Sequence, residues 1–126
     1  MYLLDTNTII YYLKAALPEK AMQFLHNVVD DQPIISVITK IELLGFNSIN
    51  LDEQNITSTF INEAMIFALD ENVVDATIYL RRQLRIKLPD AIIAATAITY
   101  DFTLITYNVS DFNKISTLKL LDPQLL

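Results

Sequence analysis

The sequence predicts an α/β fold in which helices cover a mostly parallel central sheet of four to five short strands. Three observations point there. Short apolar runs alternate along the chain with longer stretches at helical spacing, the pattern of strand–helix–strand units. The strand candidates are nearly wholly apolar, as strands covered on both faces are. One stretch, Asp90 to Tyr100, is apolar almost all round, which marks a buried helix.

The elements follow in order. Residues 1 to 4 form a short apolar strand, and Asp5-Thr6-Asn7 offers capping side chains to a helix from Thr8 to about Ala16. Pro18 punctuates the chain. From Glu19 to Val29, Ala21, Phe24, Leu25, Val28 and Val29 recur at helical spacing. Asp30 to Pro33 is a turn, and Pro33 to Ser36 is the second strand. Helices are expected over Val37 to Phe46 and, after an Asn-rich connection, over Leu51 to Ala64. Met65 to Leu69 is the third strand. Asp70 to Ile86, with Val73, Val74, Ala76, Ile78, Leu80 and Leu84, is a long helix. Pro89 stands where proline opens a helix, ahead of the buried stretch. Thr103 to Thr106 is the fourth strand and Lys119 to Leu121 a candidate fifth.

The 126 residues suit one domain with one ordinary core, spanning residues 1–126. Apolar residues make up 52% and charged residues 19%, the balance of a folded globular chain and not a disordered one. No apolar run is long enough to span a membrane. Met1 to Asp5 has neither the basic region nor the cleavage site of a signal peptide, so a cytoplasmic location is expected. The absence of cysteine removes disulfides, thiolate metal sites and cysteine nucleophiles together. The single glycine, Gly45, excludes glycine-rich phosphate loops and with them P-loop and dinucleotide-binding domains. The net charge of −6 opposes bulk attraction to nucleic acid. Two bound Mg²⁺ would bring it to −2, and four of the nine bases, Arg81, Arg82, Arg85 and Lys87, fall just before Asp90.

Four acids are candidates for chemistry. In parallel sheets ligands gather beyond the C-terminal ends of the strands. Asp5 is the first residue after the first strand; Asp also caps helices, but Thr6 and Asn7 are able to do so in its place. Glu42 is either a solvated member of a polar stripe with Thr39 and Lys40 or a side chain aimed at the sheet edge. Asp90 opens the buried helix, where a first-turn acid gains roughly 0.3–1 kcal/mol from the helix dipole. That helix has almost no polar face, so the charge at its mouth faces solvent or a site. Asp111 falls in the loop leaving the fourth strand, where acids are ordinarily solvent-facing. Each has a bland explanation; together they point one way. Two like charges ~4 Å apart repel by about 4 kcal/mol at an effective dielectric of 20. Converging acids therefore take up protons or bind a cation. Ligands that are all oxygen, without His or Cys, suit Mg²⁺ or Mn²⁺. Such a centre activates water against a phosphodiester and needs no protein nucleophile. The one histidine, His26, lies on an amphipathic helix as a surface or core-edge residue.

Leu3-Leu4-Asp5-Thr6-Asn7, Ser36 to Leu44 around Glu42, Leu88-Pro89-Asp90 through Ala97, and Leu104 to Phe112 resemble, in order and over almost the full chain, the motifs of PIN domains. The similarity is greatest to the VapC-type toxins of bacterial toxin–antitoxin pairs. This resemblance implies a three-layer α/β/α sandwich and a Mg²⁺- or Mn²⁺-dependent endoribonuclease acting on RNA. It implies that Asp5, Glu42 and Asp90 are the core acids and Asp111 a more variable fourth. Thr106 and Asn108, with Asn7, then orient the acids or bound water. It further implies a homodimer held inactive by an antitoxin whose C-terminal tail crosses the active site. Tyr107 departs from the pattern by standing where the family often has a basic residue; a tyrosine there is suited to stacking on a base. Two other readings compete. One is a catalytically weak PIN module that binds protein or RNA. The other is a receiver domain or phosphatase, which the single Asp at the end of the first strand disfavours.

Overall fold

The computed structural model describes residues 1–46 and 50–126, and the Asn-rich connection expected between Phe46 and Leu51 lies outside them except for Asn50. Five strands alternate with helices as expected: β1 (Tyr2–Leu4), β2 (Ile34–Ser36), β3 (Met65–Phe67), β4 (Thr103–Ile105) and β5 (Leu120–Leu121). The helices are α1 (Thr6–Leu13), α2 (Glu19–Asp31), α3 (Val37–Gly45), α4 (Leu51–Glu63), α5 (Glu71–Gln83), α6 (Leu88–Tyr100) and α7 (Val109–Phe112), followed by a 3₁₀ turn over Pro123–Leu125.

All strand pairs are parallel. Tyr2, Leu3 and Leu4 lie opposite Thr103, Leu104 and Ile105, and β5 pairs on the far side of β4. Ile34, Ile35 and Ser36 lie opposite Met65, Ile66 and Phe67. The hydrogen bonds thus make two sheets, ordered β1-β4-β5 and β2-β3, with β1 alongside β2. The mostly parallel central sheet is as expected, with the ladder hydrogen bonds interrupted between β1 and β2.

Alternation along these strands makes three layers. Leu3, Ile34 and Leu104 enter one core with Val73 and Leu80 of α5 and the buried face of α6. Their successors Leu4, Ile35 and Ile105 enter a second core with Ile9 of α1, Leu25 and Val28 of α2, and Phe60 and Ile61 of α4. Successive strand side chains point to opposite faces, so each short apolar strand serves both cores. Ala91 through Ala97 are all buried, as the apolar run of α6 required.

Several boundaries differ from expectation: α2 runs on through Asp30 and Asp31, expected as part of a turn, and β3 stops at Phe67, not Leu69. The first helix starts two residues early and ends at Leu13. Ala15 adopts a left-handed conformation (φ 52), and the amides of Ala15 and Ala16 donate to the carbonyls of Tyr12 and Tyr11. That is the double bond of a Schellman ending, which usually falls to glycine. The long fifth helix ends at Gln83, not Ile86, because the chain turns extended at Leu84. Asp111, expected in a loop, stands on the one-turn helix α7.

Candidate functional site

Asp5 follows β1 directly and is 4% exposed. It is the cap of α1, contrary to the expectation that Thr6 or Asn7 serves as well: its Oδ1 accepts from the Thr8 amide at 2.9 Å. Its Oδ2 accepts from the Thr106 hydroxyl, which lies just past β4. The Thr106 oxygen in turn accepts from the Asn108 amide at 2.9 Å, and the Thr8 hydroxyl reaches the Ile105 carbonyl at 3.4 Å. Each carboxylate oxygen carries a second lone pair, so capping does not exhaust Asp5 as a ligand. Burial pushes its carboxyl above the ordinary value; the bonds from Thr106 and Thr8 oppose this, and the Glu42 charge adds to it.

Glu42 enters from α3, whose start is fixed by Ser36 accepting from the Ile38 amide at 3.1 Å. Glu42 is exposed, yet it is not simply a solvated stripe residue. Its Oε1 accepts from the Thr6 hydroxyl at 2.6 Å. The Thr6 and Thr39 hydroxyls are 3.1 Å apart. Thr6 has one proton and gives it to the carboxylate, so Thr39 is the donor in that second bond. Thr39, assigned to the polar stripe by the sequence, is fully buried.

Asp90 stands in the first turn of α6, half-buried. That helix delivers the chain to the start of β4, so its first turn lies toward the opposite, C-terminal edge of the strands. Burial raises the Asp90 carboxyl; the charges of Asp111, Glu42 and Asp5 raise it further, against a lowering from Lys87. All three other candidate acids therefore act on Asp90. Asp111 is exposed on α7, and Phe112 beside it is buried and anchors that turn.

Of the supporting residues, Thr106 and Asn108 stand in the site, Asn108 through its backbone. Asn7 is exposed in the first turn of α1. Tyr107 is not poised for a base: its hydroxyl is buried without a partner, and its ring packs edge-on against Tyr11 at 5.7 Å. Thr6, Thr8 and Thr39 are the polar residues that sequence reasoning missed. Thr6 and Thr8 lay within the capping segment, but nothing in the chain marks Thr39.

The donor set is oxygen alone and suits a hard divalent ion. Among the described residues, no three His, Cys, Asp or Glu side chains already form a metal-ligating cluster. Beside the acids, Ile10 and Leu13 of α1, Leu43 and Leu44 of α3, Phe46, and Ile56 of α4 line an apolar groove with Glu42 on its wall. Leu13 lines this groove while packing, with Tyr12 and Leu17, against the second core, and Tyr11 on the same helix is exposed.

A parallel α/β/α sandwich with Asp5 and Asp90 toward the C-terminal edge of its strands is the architecture of the α/β nucleases, among other classes. The chain belongs to the PIN-domain family, whose model matches residues 2–118. Solved structures agree. The crystal structure of VapBC2 from Rickettsia felis, bound to a promoter DNA fragment, is similar with a TM-score of 0.80 and 25% identity, covering 95% of this chain and 96% of that one. A toxin–antitoxin complex from Klebsiella pneumoniae is similar with a TM-score of 0.75 and 27% identity, covering 98% of both chains. The DNA-bound VapBC from Salmonella typhimurium shares the fold at a TM-score of 0.84, with 24% identity and 97% of both chains covered. Among curated proteins, none matches. Among the described residues, no helix is long and apolar enough to cross a membrane.

Proposed function

We propose that residues 1–126 form a single Mg²⁺- or Mn²⁺-dependent endoribonuclease domain, the toxin of a cytoplasmic toxin–antitoxin pair. The observation that carries this reading is geometric: Asp5 follows β1 and is held by Thr106 just past β4, the neighbouring Thr6 holds Glu42, and Asp90 opens α6 toward the same edge of the strands. Asp5, Glu42 and Asp90 hold the ion in this reading, and Asp111 completes the set directly or through water. When bound, a divalent ion lowers the proton affinity of its water and offsets charge on the attacked phosphate. The protein's own part is positioning. Thr106 fixes Asp5 against β4, the Thr39–Thr6 relay fixes Glu42, and Asn7 and Asn108 orient the acids or bound water. Burial of Asp5 and Asp90 keeps competing water from screening them.

The solved relatives are toxin–antitoxin complexes, which supports an antitoxin partner here. The groove between α1, α3 and α4 suits the apolar face of an antitoxin helix, and Glu42 on its wall brings the end of that segment to the acids. Val74 and Ile78, one turn apart on α5, and Leu88 leave a second apolar face for a homodimer contact.

A catalytically weak PIN module that binds protein or RNA is the second reading, favoured by a net charge of −6 that opposes tight capture of an RNA substrate. Thermal unfolding against Mg²⁺ and Mn²⁺ separates the two. An ion that binds only the folded state stabilises it by about 2.7 kcal/mol at one hundred times its dissociation constant. The nuclease reading expects a concentration-dependent rise in Tm that Asp90→Asn diminishes. No rise at millimolar metal, with the fold intact, would count decisively against it.

A further inference from the structure

Residues 84 to 87 join α5 to α6 outside either helix, and both ends of the connection are extended, Leu84 at φ −136, ψ 152 and Lys87 at φ −65, ψ 147. Side chains on extended backbone alternate. Here Leu84 and Ile86 turn inward against the first core, and Arg85 and Lys87 turn out to solvent. Arg81, in the last turn of α5, donates from Nη1 to the Ile86 carbonyl at 2.7 Å and pins the strip. The hydroxyl of Tyr100, at the end of α6, bonds Asp70, the cap of α5, so the two helices run antiparallel. Their connection is therefore at the end that carries Asp90, and the Lys87 charge reaches the Asp90 carboxyl.

Helix stability does not explain these two bases. Arg81 and Arg82 are in the last turn of α5, where the helix dipole favours cations. Arg85 lies beyond that helix. Lys87 is at the N-cap of α6, the end where the dipole disfavours a cation. Among the described residues neither is paired with an acid, although the chain carries 15 acids against 9 bases. Two exposed cations on a pinned strip, leading into an acid centre, match the chemistry of a phosphate track.

We propose that Arg85 and Lys87 form a phosphate-binding strip that holds the RNA backbone next to the phosphodiester presented to the acids. This rests on the ribonuclease reading above and adds to it where the strand lies: along the α5–α6 connection, toward the mouth of α6. The strip supplies locally the attraction that a chain of net charge −6 lacks as a whole.

The test is fluorescence anisotropy of a short, uncleavable 2′-O-methyl single-stranded RNA, titrated at several salt concentrations with the divalent ion held constant. Each phosphate contact on a single strand contributes roughly 0.7 to the slope of log affinity against log salt. Arg85→Gln/Lys87→Gln is expected to weaken binding and lower the slope by about 1.4, with its Tm unchanged. Lys20→Gln, an equally exposed base on α2, is expected to leave the slope as it was. An unchanged slope in the double variant, an equal drop in Lys20→Gln, or no salt-dependent binding by the unaltered chain would each overturn the strip. Mn²⁺-dependent cleavage of ordinary RNA by the unaltered chain is followed in parallel. Cleavage with an unchanged slope removes the strip and leaves the nuclease. A slope change without cleavage removes the nuclease and leaves an RNA-binding surface.

Discussion

At the scale of single residues, the hydroxyls around the acids matter as much as the acids. Asp5 is both helix cap and buried carboxylate, and its burial cost is offset by the donors Thr106 and Thr8. Removing the Thr106 donor by the near-isosteric Thr106→Val leaves Asp5 with one bond fewer in the same space. Partners of this kind typically account for 10–100-fold in metal affinity, so Mn²⁺ binding by the variant should weaken by roughly that factor. A titration giving the unaltered affinity would show that Thr106 serves only to close the loop after β4. Asp5 and Asp90 are legible as candidates because one stands just past a strand and the other at a helix mouth, whereas Glu42 and Asp111 stand out only as members of segments entered from a strand end. Thr39 was not: between Ile38 and Lys40 it looks like surface. Its burial comes from α1 packing across α3, a tertiary contact that no local pattern records.

At the scale of elements, periodicity read the order of strands and helices and most of their bounds. The exceptions have local causes. Nothing after Leu13 signals a stop, since Lys14, Ala15 and Ala16 are all good helix formers. The stop is the left-handed Ala15, a conformation that L residues with a Cβ resist. Ala15→Gly should therefore raise stability by about 0.5–1 kcal/mol in denaturant unfolding, against the usual penalty for glycine. A loss of stability would mean that the Schellman ending contributes less than assumed here. Helix α7 escaped notice because four residues are too few to show a period, yet it is what carries Asp111 beside the other acids. The division into two sheets between β1 and β2 was equally out of reach, because register across that seam depends on how both cores fill.

At the scale of the whole molecule, the acid centre carries a destabilising charge that, on the proposed reading, a cation relieves. The carboxyls of Asp5 and Asp90 are raised above 3.8, so over the window above that value the folded chain binds more protons than the unfolded one. Stability contributed by those protons falls as pH rises through the window. Asp90→Asn removes one of the groups, so without metal the variant should gain stability relative to the parent as pH rises from the ordinary carboxylate range toward neutrality. Saturating Mg²⁺ should erase that difference or reverse it, since the parent alone keeps the full ligand set; a difference independent of pH would contradict the linkage. The same centre gives the most direct test of the account, which is cleavage of end-labelled RNA by the unaltered chain and by Asp90→Asn, each with Mn²⁺ and with chelator. The account predicts cuts only in the unaltered chain with Mn²⁺, while both proteins remain folded by circular dichroism. Equal cleavage by Asp90→Asn, or cleavage that persists in chelator, would contradict it.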